Sequence, residues 1–199
     1  MLRRVLTSRV RRGALVALLV TSAFVAGCAK SEHETTKAKA DSGASPRSTE
    51  DFVAKASDFV NIGDMTAVRG FFIDNRKGHL AETLKIARAN QGGTYPVGTV
   101  IQLVPQEAMV KRRAGFDPGS NDWEFFELDT TAAGTKIHQR GGAEIVNRFG
   151  SGSCSSCHKA AGAKFDFVCE ETHGCAPLPF GRDVIDVLQT KDPRPRRHA

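Results

Sequence analysis

The run Cys154-Ser155-Ser156-Cys157-His158 holds two thiols and an imidazole within five residues. Two intervening residues let both sulfurs reach one edge of a porphyrin, and the next residue brings its imidazole beneath the ring centre. C-x-x-C-H is the attachment signature of a c-type haem, in which the thiols add across the vinyl groups and the histidine coordinates iron. One short loop is thus predicted to hold one covalent haem c at three points, through Cys154, Cys157 and His158.

Two other chemistries use the same residue types. A lone C-x-x-C can be a thioredoxin-like redox pair, which should open a helix after a strand in a βαβ unit. No βαβ pattern surrounds the motif, and residues 150–153 before it are only glycine and serine. A zinc site is the stronger alternative, because Cys169 and Cys175 can complete a set of four thiolates. The specificity of the full five-residue signature favours haem over both.

The elements that must position this motif follow from hydrophobic periodicity. Strands are expected at residues 66–74, 97–104, 108–113, 121–129 and 134–139, and helices at residues 52–60, 80–87, 143–149 and 183–188. Residues 130–133 are expected to close a hairpin, and residues 166–168 to be short and extended. This order predicts an α+β domain over residues 51–190, mainly an antiparallel β-sheet with a few packed helices.

Charge argues against a nucleic-acid partner. The chain of 199 residues is 40% hydrophobic and 25% charged, which suits one soluble globular domain with appended sequence. Its net charge is +6, but residues 1–27 hold five arginines and no acid, so the rest carries only +1. A nearly neutral protein lacks the basic surface that phosphate binding needs. The basic tail over residues 191–199 is expected to be a solvated terminus.

The first residues have the order of an export signal. An arginine-rich start precedes an apolar stretch over residues 14–20 and then small residues, which is typical of a signal peptide over residues 1–27. The apolar stretch is too short to span a bilayer permanently. Its ending, V-A-G-C, resembles a bacterial lipoprotein box, although an ordinary signal with an incidental cysteine is the alternative. We therefore expect export to the periplasm, a lipid anchor to the membrane at Cys28, and a flexible tether over residues 28–50.

Export also constrains the five cysteines, because unpaired thiols seldom persist in an oxidising compartment. Lipid takes Cys28, haem takes Cys154 and Cys157, and Cys169 with Cys175 can form a disulfide across a short loop. This assignment leaves no cysteine over. A zinc site would need reduced thiolates at four of these positions, which is less natural outside the cell.

Five segments between residues 66 and 170 carry a family resemblance. They are F-F-I-D-N at residues 71–75, G-T-Y-P-V-G-T-V-I at residues 93–101, N-D-W-E-F-F at residues 121–126, the C-S-S-C-H run, and D-F-V at residues 166–168. In this combination the chain resembles the cytochrome P-460 family. The resemblance implies a mainly antiparallel β fold and a five-coordinate haem with an open distal side. Members include hydroxylamine-oxidising enzymes and the related cytochromes c′-beta, which bind nitric oxide or carbon monoxide.

The defining enzyme of that family has a further covalent bond from a lysine to the haem ring. Lys77 matches this lysine by following a strand in an Asn-x-Lys setting, whereas Lys85 matches it by its distance before Gly-Gly-x-Tyr-Pro. The two alignments conflict, because this chain has additional residues between those landmarks. Either lysine can instead be a solvated cation.

Several side chains are candidates for the distal side of the haem, either as pocket lining or as a sixth iron ligand. Without a cross-link, a distal pocket lined by phenylalanines is expected, with Phe71, Phe72, Phe125 and Phe126 as candidates. No methionine follows the motif, and the settings of Met65 and Met109 are apolar enough for the core. His138 is the fallback sixth ligand. The other histidines, expected to be structural or exposed, are His33, His79 and His173.

Together these expectations describe an exported, lipid-anchored protein with one haem, held by His158 and open on the opposite side. An open position lets a small diatomic or nitrogenous ligand bind iron directly. We predict oxidoreductase chemistry on small nitrogen compounds of the hydroxylamine or nitric oxide type, with a periplasmic electron-transfer partner. The alternatives are a gas-binding protein without turnover, similar to cytochrome c′-beta, and an electron-transfer cytochrome. The sequence allows several oligomeric states, a dimer included.

Overall fold

The computed structural model describes residues 50–148, 152–170, 172–174, 178 and 180–197. The predicted signal peptide, the tether before Glu50, Cys28, His33 and Cys175 lie outside these residues. Within the described ranges, no helix is both long enough and apolar enough to cross a membrane.

Six strands form one sheet, in which each strand pairs antiparallel with the next along the chain. The strands are β1 (Thr66–Val68), β2 (Phe71–Asn75), β3 (Thr99–Gln102), β4 (Glu107–Lys111), β5 (Trp123–Thr131) and β6 (Gly134–Gly141). The α-helices are α1 (Leu80–Arg88), α2 (Cys154–His158) and α3 (Arg182–Thr190). This arrangement confirms the predicted α+β class.

Alternation along the central strands gives the sheet two buried faces. One face, here called the motif face, packs against α1 and the C-x-x-C-H segment, and it carries Ile73, Ile101, Met109, Trp123 and Phe125. The opposite face lies under the N-terminal residues of the domain and carries Val100, Ala108, Val110, Phe126 and Leu128. Since both faces are covered, β3 is buried throughout and β4 and β5 over most of their length.

Residues 66–74, predicted as one strand, form the hairpin of β1 and β2 instead. Its turn is Arg69-Gly70, with φ 41° and 92°, so both central residues are left-handed. Turns of this kind match the twist of antiparallel strands. The prediction missed the turn because arginine rarely adopts a positive φ, which makes Arg-Gly a weaker signal than Asn-Gly.

Two predicted helices are absent from the described residues. Residues 52–60 contain only the 3-10 turn Ala56–Asp58, because the Asp51 carboxylate binds the Arg112 side chain instead of capping a helix. In the segment after β6, Val146 pairs with Ser153 in an isolated β-bridge. Residues 166–168, predicted to be extended, include a left-handed turn at Asp166 and Phe167. The helices predicted at residues 80–87 and 183–188 are confirmed as α1 and α3.

The predicted solvated terminus is wrong for Asp192 and Arg194, whose side chains are buried, whereas the other residues of 192–197 are exposed. The Arg194 side chain is buried and pairs with Asp192 at 2.6 Å. Asn61 donates to the Arg194 carbonyl at 2.6 Å, and Arg196 binds the Asp64 carboxylate at 2.9 Å. A local run of basic residues does not reveal such partners, because they lie at the other end of the domain sequence.

Candidate functional site

Cys154, Cys157 and His158 lie on a single helical turn. The five motif residues form α2, which begins after Ser153, whose side-chain oxygen accepts from the Ser156 N–H. Residues three and four apart share one face of a helix. The motif predicted as a loop is therefore a helix, and its spacing places both thiols and the imidazole on one side.

All three residues line one cavity of about 510 Å³. Its other walls come from the motif face and from α3, and they include Phe71, Ile101, Met109, Phe125, Ile185 and Leu188. Predominantly apolar cavities of this size, with a few polar groups, are typical of cofactor sites. The three predicted haem-binding residues thus converge on a space suited to a large apolar ring.

A backbone carbonyl orients the imidazole of His158. Its Nδ1 atom lies 2.9 Å from the Phe167 oxygen, which can only accept, so Nδ1 carries the proton and Nε2 keeps its lone pair. The ring also packs against Phe125, with centroids 5.1 Å apart. Burial lowers the pKa of His158, which favours the neutral ring. A neutral imidazole whose other nitrogen donates to a carbonyl is the usual form of a metal-binding histidine.

The two motif thiols are free, with Cys154 half-buried and Cys157 exposed. Burial, together with the charges of Glu107 and Glu127, raises the pKa of Cys154 to about 12. A catalytic redox cysteine needs a lowered pKa, because the thiolate is the nucleophile. The electrostatics at Cys154 therefore disfavour a thioredoxin-like pair.

Cys169 lines the same cavity and is disulfide-bonded. Its predicted partner, Cys175, lies outside the described residues. A sulfur in a disulfide cannot be a thiolate ligand, so Cys169 cannot complete a four-thiolate zinc site. In the described part of the chain, no group of three or more Cys, His, Asp or Glu side chains is arranged to hold a metal ion.

Several predicted site residues lie away from the cavity. Lys77 Nζ lies 3.1 Å from a Glu50 carboxylate oxygen, and Lys85 is exposed in the last turn of α1. His138 is exposed beside Asp129 at 3.4 Å. The lining residues include none of these side chains, so the structure does not bring either candidate lysine or the fallback ligand to His158.

Of the four phenylalanines, Phe71 and Phe125 lie on the motif face and line the cavity. Phe126 also borders the cavity, but its ring packs on the opposite face against Phe59, and Phe72 packs on that face too. His79 precedes α1, and His173 stacks on Phe165 with centroids 3.7 Å apart. Met109 belongs to the core, as predicted, but it also lines the cavity.

Sequence reasoning missed a pair of glutamates beside the motif. Glu107 lines the cavity, and its partner across β4 and β5 is Glu127. One carboxylate oxygen of each has no hydrogen-bond partner among the described residues. Burial and the charge of Glu127 raise the pKa of Glu107 to about 7. The pair becomes visible only once the register of the two strands is known.

Two arginines and one glutamate also line the cavity. The guanidinium group of Arg69 binds both oxygens of the Glu170 carboxylate, at 2.5 and 2.7 Å. Arg182, at the start of α3, donates to the Gly70 carbonyl at 3.2 Å. The apolar cavity therefore has cationic side chains in its wall.

No protein-family model matches the chain, and no curated protein or solved structure matches it either.

Proposed function

We propose that this chain is a c-type haem protein that holds one haem through Cys154, Cys157 and His158. The observation that carries the proposal is that both free thiols and the imidazole share one face of α2 and line one apolar cavity. Cys154 and Cys157 would hold the haem by adding S–H across its two vinyl double bonds, with a carbon–sulfur bond formed at one carbon and the hydrogen placed on the other. This addition needs no oxidant, which suits thiols that are not paired with each other.

The residues around the cavity fit the other parts of such a ring. Phe71, Phe125 and Ile185 supply apolar contact area for its faces. Arg69 and Arg182 supply cations for its two carboxylate groups by exchanging their present carboxylate partners, Glu170 and Asp186, for those of the ring. His158 would hold the iron through Nε2, because its Nδ1 proton is donated to the Phe167 oxygen.

We propose further that the domain has a cytochrome P-460-like fold and acts on small nitrogen compounds. The six-stranded antiparallel sheet and the resemblance of the five segments support this proposal. When bound, the haem iron supplies electron transfer and an open position for a small ligand. Glu107 lines the cavity and adds a carboxyl group to its wall, which suits a ligand with N–H or O–H groups such as hydroxylamine. Export to the periplasm, lipid at Cys28 and a redox partner there complete the proposal.

Electron transfer is a second candidate, favoured by Met109. Met109 lines the same cavity as His158, and methionine with histidine is the ligand pair of electron-carrying cytochromes c. A filled sixth position would exclude small ligands from the iron. The two candidates thus differ in the spin state of the ferrous protein.

A haem-stained denaturing gel of the mature protein tests the cofactor. The wild type and Ser156→Ala, a control on the same helix, are expected to stain after expression with haem-attachment machinery. The double variant Cys154→Ala with Cys157→Ala is expected to be colourless. A colourless wild type, or zinc in place of iron, would overturn the proposal.

The visible spectrum then separates the two candidates. A high-spin ferrous form that turns over hydroxylamine supports the oxidoreductase, and a high-spin form that binds nitric oxide without turnover indicates a gas-binding protein. A low-spin form that becomes high-spin in Met109→Leu supports electron transfer instead.

A further inference from the structure

The segment over residues 162–168 turns sharply beside α2. Asp166 and Phe167 have φ 52° and 58°, so two consecutive residues other than glycine are left-handed. Such conformations persist only where the surrounding structure fixes them. Four of the contacts that fix this turn converge on Asp166.

Asp166 is fully buried and accepts from four groups. Its carboxylate accepts from Lys111 Nζ at 2.6 Å, from the Tyr95 backbone N–H at 2.8 Å and from the Asn121 side-chain amide. Its backbone oxygen accepts from Trp123 Nε1 at 2.6 Å. The donors lie on β4, on β5 and in the loops that precede β3 and β5, so the sheet itself holds the turn.

The turn over residues 162–168 also fixes the Phe167 carbonyl, which orients His158. Phe167 oxygen lies 2.9 Å from His158 Nδ1, and the same peptide unit is held at its other end by the Val168 N–H, which donates to the Phe165 oxygen at 2.9 Å. Phe167 N–H also donates to the Gly162 oxygen at 3.2 Å. Lys111 is therefore connected to the imidazole through its bond to Asp166, the backbone from Asp166 to Phe167, and the bond between the Phe167 oxygen and His158.

We infer that Asp166 is a positioning residue, which sets the strength of the hydrogen bond from His158 to Phe167 and through it the reduction potential of the site. A well-aligned bond from Nδ1 raises the basicity of Nε2, and hydrogen bonds of this kind tune metal centres. A more basic Nε2 favours the ferric over the ferrous state. The inference rests on the proposed haem function.

The test compares two carboxylate-to-amide variants of the haem-loaded mature protein. Asp166→Asn is expected to raise the reduction potential and to lower the frequency of the iron–histidine stretching band in the ferrous Raman spectrum, with haem still covalently attached. Glu124→Gln is the matched control, since Glu124 is also buried and pairs with Arg112 and Arg140, at 2.5 and 2.6 Å, on the opposite face. Its potential and band are expected to equal those of the wild type.

The outcomes distinguish this inference from the proposed function. A wild type without haem overturns the function, whereas a haem-loaded Asp166→Asn with an unshifted potential and band overturns only the role of Asp166. Equal shifts in Asp166→Asn and Glu124→Gln also overturn it, because they would reflect general destabilisation. If Asp166→Asn does not fold, Asn121→Ala decides, since it removes one donor and keeps the ion pair. Asn121→Ala is expected to shift the potential and the band in the same directions as Asp166→Asn, but by smaller amounts. If neither the potential nor the band changes, the inference is overturned.

Discussion

Glu107 lies directly opposite Glu127 on the neighbouring strands β4 and β5. Like charges in this position repel each other. Burial comes first and this repulsion second among the causes that raise the pKa of Glu107 from 4.5 to about 7. The folded protein therefore binds a proton at Glu107 more tightly than the unfolded chain does.

This relationship predicts a pH-dependent effect of Glu107→Gln. Between about pH 4.5 and 7 the folded state holds more protons than the unfolded state, so wild-type stability falls as pH rises through this window. Glutamine has no such proton to lose. Urea unfolding is expected to find the variant more stable than the wild type at pH 8, by about 1–3 kcal/mol, with the difference shrinking towards pH 5. A difference that does not change with pH would contradict the raised pKa.

The pKa of Asp51 is shifted in the opposite direction, to a lower value. Its carboxylate binds the Arg112 guanidinium at 3.0 and 2.6 Å and accepts from the Arg113 N–H, and these bonds hold its pKa well below the usual range. Stability from this group is present above the unfolded value of 3.8 and is lost as pH falls through the lower folded value. Asp51→Asn is expected to cost about 1–3 kcal/mol of unfolding free energy at pH 7. Thermal melts at pH 7 and pH 2.5 check this, and an equal loss at both pH values would count against it.

Gly92 approaches the backbone of the turn beside α2. It has φ 76°, and an added Cβ would lie 2.2 Å from the Lys164 carbonyl oxygen. Gly78 has φ 81° with nothing within 4 Å, so it is a matched control for the backbone penalty alone. Gly78→Ala is expected to cost about 1–2 kcal/mol of unfolding free energy, and Gly92→Ala clearly more, by chemical denaturation. Equal losses would show that the close approach at Gly92 is relieved without cost.

The C-terminal ion pair is expected to couple strongly. Arg194 and Asp192 side chains are both 2% exposed, so removing one partner leaves a buried charge. Arg194→Leu alone is expected to cost about 3–5 kcal/mol of unfolding free energy. The double variant Asp192→Asn with Arg194→Leu should lose less than the sum of the single variants in a double-mutant cycle. Additive losses would mean that the pair contributes no coupling.

The sequence predicted those parts of the fold and site that depend on neighbours along the chain. β-branched residues located the strand around Val100 and aromatic residues the strand around Phe125, and the C-x-x-C-H spacing located Cys154 and His158 on one side of the cavity. The hairpin at Arg69 was missed, because its turn uses an uncommon conformation for arginine.

Other features could not be predicted because they depend on contacts between distant segments. Asp166 adopts a left-handed turn only because Lys111 and Trp123 hold it from the sheet. Arg194 is buried only because its chain end meets Asn61. Local periodicity carries no information on such pairs.

The two buried faces of the sheet have a consequence for its alignment. On β5, Glu124 sits between Trp123 and Phe125, facing Arg112 and Arg140 while its two neighbours face the motif. A shift of β5 by one residue would place the Glu124 carboxylate on the apolar motif face and an aromatic ring against the two guanidinium groups. A slipped register of β5 therefore costs free energy on both faces of the sheet, because it buries a charge on one face and removes the ion pairs on the other.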